Sequence, residues 1–138
     1  MRTLIKHGVI FGVILLQSCG SAYDKNYYER ISGIKIPVTS SLIETYDNSE
    51  FVTVTSFKMT PLDIVELSNN YHFEAVDGSF IPDFFGNHFL KGAKPENSNL
   101  NKCLMKIGQK GKATSVYVID TSKNILWAEI NYPDWSGK

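Results

Sequence analysis

The last third of the chain constrains the fold more than any other stretch. Cys103–Ile107, Thr114–Asp120 and Ile125–Tyr132 are three runs with strand character. A turn at Gly108–Gly111 separates the first two, and Thr121-Ser-Lys-Asn124 joins the last two. Connections this short suit hairpins, so the three runs should pair in chain order as an antiparallel meander. Pro133-Asp134-Trp135 closes the last strand.

The upstream half supplies further strands and one helix to lay on them. In Glu50–Met59 the residues Phe51, Val52, Thr53, Val54, Thr55 and Phe57 are all β-branched or aromatic. Phe51 and Phe57 share one face, Val52 and Val54 the other, which suits a central strand covered on both sides. Thr60 then caps a helix, Pro61 occupies its first position, and Asp63 completes a capping box. The helix runs over about 61–70. Ile64, Val65, Leu67 and Tyr71 are read as its core arc, with Asp63, Glu66, Asn69 and Asn70 opposite. Shorter strands are expected at Leu42–Tyr46, at Ile34–Ile36 before Pro37, and at His72–Val76 before the Asp77-Gly78 turn. Ser79–Leu90 has many aromatics but no steady period, and Gly92–Asn101 reads as a loop. The expectation is an α+β fold: one two-layer domain, a mainly antiparallel sheet of about five or six strands, and one principal helix.

The opening segment is of a different kind. Arg2 and Lys6 precede an apolar run from Val9 to Leu16, and Ser18 stands just before Cys19. That is the plan of a secretory signal. The run stops at Gln17, well short of the roughly 20 apolar residues a membrane-spanning helix needs. Leu16-Gln17-Ser18-Cys19 resembles the lipobox of bacterial lipoproteins. The resemblance implies that residues 1–18 are removed as a signal peptide and that Cys19 carries the lipid (palmitate among its acyl chains) that holds the protein to a membrane. Gly20, not Asp, follows Cys19. In a Gram-negative cell the resemblance then favours the outer membrane. Residues 19–30 are expected to be lipid anchor and tether, and 31–138 the globular domain. The Ile31-Ser-Gly-Ile-Lys-Ile-Pro37 opening is broadly similar to small uncharacterised bacterial lipoproteins, a likeness that implies no activity.

Charge narrows the partners. Residues 1–18 hold two of the 14 basic residues and none of the 14 acidic ones, so the remainder is slightly acidic. That balance leaves no basic footprint for nucleic acid. Lys102, Lys106, Lys110 and Lys112 are expected on the solvated face of a strand and turn. With Cys19 bonded to lipid, Cys103 has no disulfide partner within the chain, and its apolar neighbours point to a buried, inert thiol.

Two function classes remain. The first is a non-enzymatic binding module of the cell envelope, of immunity or inhibitor type in its most concrete form, with a protein or envelope-component partner. Its candidate contact residues are Phe84, Phe85 and Phe89 of the aromatic segment, together with Trp135; Trp127 is assigned to the core. The alternative is a small envelope hydrolase using His, Asp and Glu residues around 72–88. There His72, Glu74 and His88 are conceivable metal ligands, but at no spacing that metal sites use. Gly-Gln-Lys-Gly-Lys at 108–112 lacks the phosphate-loop spacing, and no Gly-x-Ser-x-Gly or dinucleotide fingerprint occurs. No motif requires a cofactor, so the binding module is preferred to the enzyme.

Overall fold

The computed structural model describes residues 23–47, 52–76 and 101–131. They form α1 (Lys25–Ser32), β1 (Ser41–Asp47), β2 (Val52–Lys58), α2 (Pro61–Tyr71), β3 (Glu74–Ala75), β4 (Cys103–Lys110), β5 (Ala113–Asp120) and β6 (Ile125–Asn131). All six strands belong to one antiparallel sheet in the order β1-β2-β6-β5-β4-β3. The protein is a small α+β domain.

The meander β4-β5-β6 forms as its turns dictate. Gly111 has a φ of 60° and opens the two-residue β4–β5 connection, a position that favours glycine. Between β5 and β6 the Asp120 carboxylate accepts hydrogen bonds from the Ser122 and Lys123 N–H groups and from the Ser122 hydroxyl. That Asx turn sets the four-residue link. β2 joins the meander by pairing with β6, from Val52↔Asn131 to Lys58↔Ile125. The N-terminal hairpin and the C-terminal meander thus become one sheet, with β2 fully inside it.

The strands divide two buried clusters between the sheet's faces. On one face Phe57, Tyr117, Ile119, Leu126, Ala128 and Ile130 pack with Tyr28 of α1 and with Ile64 and Leu67 of α2. On the other lie Val52, Val54, Val116, Val118, Trp127 and Cys103. The Cys103 thiol is buried, and burial raises its pKa, with Asp120 adding to the rise. Trp127 is core, as its strand position requires.

Four local expectations are corrected. Residues 25–30, expected as the end of the tether, are helical. They belong to α1, capped by Asp24, whose carboxylate accepts from the Tyr27 N–H at 3.0 Å, and Tyr28 is 1% exposed in the core. Ile34–Ile36 is not a strand. Gly33, at φ 73°, ends α1, and the next N–H groups bond to side chains: Ile34 to Ser32 Oγ and Lys35 to the Tyr71 hydroxyl, each at 3.0 Å. Those bonds replace a ladder while Ile34 and Ile36 remain buried. On α2, Val65 is exposed and Asp63 is buried. The buried arc is Asp63, Ile64 and Leu67, with Tyr71 half-buried beside it, and Val65 lies about 150° from its centre at 100° per residue. His72 is not in a strand but caps α2 in the left-handed region at φ 53°, so β3 is only Glu74–Ala75.

Candidate functional site

A groove opens on the helix-bearing side of the sheet, beside the edge strand β1. Its construction starts at the end of α1. After Gly33 the chain doubles back, and Ile34 and Ile36 pin it to the core. The Pro37 carbonyl then accepts from both the N–H (3.1 Å) and the hydroxyl (2.6 Å) of Ser40. That tight turn leaves Val38 outside, 90% exposed. The Thr39 hydroxyl donates to the Asp63 carboxylate at 2.5 Å, which ties the turn to the start of α2.

Two adjoining hollows result. One, of about 500 Å³, lies between α1, the 35–38 segment and α2, with Lys25, Glu29, Lys35, Glu66 and Asn70 among its lining residues. The second, of about 330 Å³, is more apolar and is lined by Tyr23, Ile36, Pro37, Val38, Leu42 and Phe57. Its floor is Phe57, which is buried, and Tyr23 stands edge-on to that ring at 5.0 Å. Leu42, 49% exposed, forms the β1 side. Burial pushes the Tyr23 hydroxyl up to about 12, helped by Glu29 and Asp24, so it stays a neutral phenol at ordinary pH. Next to Leu42 the β1–β2 register shifts, and exposed Ile43 takes up the slack. Bulges at sheet edges interrupt the ladder that another strand would extend.

The opposite face holds a different feature. Ser56 pairs with Trp127 across the β2–β6 ladder, and Glu129 lies two residues along β6 on the same face. Ser56 Oγ, Trp127 Nε1 and Glu129 Oε2 are all buried and have no hydrogen-bond partner among the described residues. Asn131 donates to the other Glu129 oxygen. Burial pushes the Glu129 carboxyl up to about 7, against the lowering effect of Asn131. Buried groups of this kind normally find partners, so this row is the most polar unsatisfied part of the described core.

Few of the residues singled out from the sequence enter these sites. Phe84, Phe85, Phe89, His88, Trp135 and Cys19 lie outside the described residues. His72 caps a helix and Glu74 is exposed on β3, so the shared strand face that would have aligned them does not exist. Among the described residues no group of three metal-capable side chains occurs. Lys102, Lys110 and Lys112 are exposed on and around the β4–β5 hairpin, and Lys110 Nζ donates to the Arg30 carbonyl at 2.6 Å. Sequence reasoning missed the groove because it placed Ile34–Ile36 in a strand. It missed Glu129 although that residue alternates with Ile125 and Trp127, a signal that one face of β6 carries a carboxylate.

No family model, no curated protein and no solved structure matches the chain. Among the described residues no helix is long and apolar enough to cross a membrane.

Proposed function

We propose that the protein is a lipid-anchored lipoprotein of the bacterial envelope whose domain is a binding module, with the groove between α1, β1 and α2 as its contact surface. The Leu16–Cys19 signature supports the anchor, and Gly20 favours the outer membrane where the cell has one. One observation carries the binding role. Val38 and Leu42 project into solvent at 90% and 49% exposure beside a hollow floored by Phe57. Apolar groups gathered around a concavity favour a ligand that removes them from water.

The test is envelope capture. Wild type, Val38→Asp and Leu42→Asp are expressed in a bacterial host, cross-linked in the envelope and recovered with whatever they hold. Both variants keep a cooperative melt, because both side chains are surface groups, and both lose the captured component. A true anchor costs about 2 kcal/mol or more when removed, roughly a thirtyfold loss of retention. Equal retention by all three proteins contradicts the groove as the contact surface.

A further inference from the structure

We infer that the groove's occupant is the lipid surface itself, so that the domain lies against the bilayer on its Tyr23–Leu42 side and does not hang from it on a tether. The inference rests on the lipid anchor at Cys19 proposed above.

The length of chain ahead of the groove carries it. Tyr23 is fixed in the folded body: its ring packs on Phe57 at 5.0 Å and on Tyr28 at 5.2 Å. Tyr28 is itself buried and hydrogen-bonded to the Thr53 hydroxyl at 2.9 Å. Cys19 stands four residues earlier. Four residues span at most about 14 Å even when fully extended. A lipidated Cys19 belongs at the bilayer interface, so the Tyr23 corner cannot rise further than that from it. The domain is larger than this reach, since a seven-residue strand such as β1 is about 24 Å long. The surface nearest Tyr23 must therefore face the membrane.

That surface has the chemistry for the task. Val38 and Leu42 offer apolar side chains that can enter the headgroup layer. Tyr23 backs them with its ring, its hydroxyl buried, and Lys25 and Lys35 at the adjoining hollow bring ammonium groups suited to phosphate. Glu29 pairs with Lys25 at 3.6 Å, and both hollows share Lys25. Glu66 lines the larger hollow, so the charges beside the apolar contact are balanced and Val38 and Leu42 carry the membrane contact. A protein ligand at the same groove would have to reach it within the same short clearance.

The experiment is site-specific photolabelling of the full-length protein in bacterial membranes. The photoreactive residue p-benzoylphenylalanine is placed at Val38, at Leu42 and, as a control, at Ile107. Ile107 is also an exposed apolar side chain, 44% accessible, but it lies on β4 and on the opposite face. In the sheet it stands four strands from β1, about 19 Å at 4.8 Å per strand. Mass spectrometry of the N-terminal peptide is read on the same samples. The expected result is phospholipid adducts at 38 and 42, none at 107, and a lipidated Cys19. If Cys19 is lipidated while 38 and 42 label protein, or label no more lipid than 107 does, the bilayer contact is wrong and the anchor stands. An unmodified Cys19 overturns the anchor, and the contact with it.

Discussion

Glu129 shows how much one side chain can depend on its register position. Its backbone belongs to β6, and its carboxyl meets the interior between Val54 and Val116, its partners on the two neighbouring strands. Burial raises its pKa from 4.5 to about 7. A carboxyl whose folded value lies above its unfolded one contributes stability that is fully present below the unfolded pKa and lost as pH rises through the folded one. The wild type should therefore lose at most about 3 kcal/mol between pH 4.5 and pH 8 through this group. Glu129→Gln should flatten that dependence and be the more stable protein at pH 8, as read by urea melts at both ends of the window. Unchanged pH dependence in the variant means the carboxyl is already ionised in the fold. Asp63 works in the other sense. Burial alone would raise its pKa, but the Thr39 and Thr60 hydrogen bonds outweigh it and hold the carboxyl below the usual range. Its contribution is present above the unfolded value and is lost only as acid is added below that. The Glu129 role was not legible in the sequence, because it depends on which neighbours cover the carboxyl, and for Asp63 only the Thr60 bonds were, not the one from Thr39.

At the scale of elements, legibility followed local rules. The capping box of α2 is complete: the Thr60 hydroxyl accepts from the Asp63 N–H at 3.1 Å and Asp63 accepts from the Thr60 N–H at 2.9 Å. Both bonds join residues three apart, so the sequence alone could name them. The helix face was only partly readable, because Asp63 is drawn inward by Thr39 from a distant segment and Val65 is left outside. Leu67→Ala should cost about 2–5 kcal/mol, since that side chain is 2% exposed between α2 and the sheet. Glu66→Ala and Val65→Ala should each change stability by less than about 0.5 kcal/mol. Chemical denaturation of the three variants decides it: a Val65→Ala loss as large as that of Leu67→Ala would mean the helix is rotated. α1 was hidden for the opposite reason. Its local pattern is tyrosine-rich and polar, and the burial of Tyr28 against the sheet, with Tyr27 and Ile31 packed beside it, makes it part of the domain. Tyr28→Ala should accordingly cost about 3–5 kcal/mol in the same melts, whereas a tether residue there would cost nothing.

For the whole molecule, the C-terminal turns predicted the meander, and β-propensity placed β2 inside the sheet. The union of the two halves through β2 and β6 was out of reach, since nothing local records which strand edge meets which. The groove was equally hidden, being made by a non-repetitive segment whose N–H groups bond to Ser32 and Tyr71. With α1 counted in the domain, Tyr23 is held against the core, and the four-residue span from Cys19 sets a limit on reach. Anchor and membrane contact both depend on the lipidation of that cysteine. Mass spectrometry of the mature N-terminal peptide, taken from fractionated cells expressing wild type and Cys19→Ser, tests it most directly. A wild-type peptide that begins at Cys19, carries acyl chains and sediments with membranes, while Cys19→Ser is released, is the predicted result. An unmodified Cys19 in a soluble wild-type protein contradicts it.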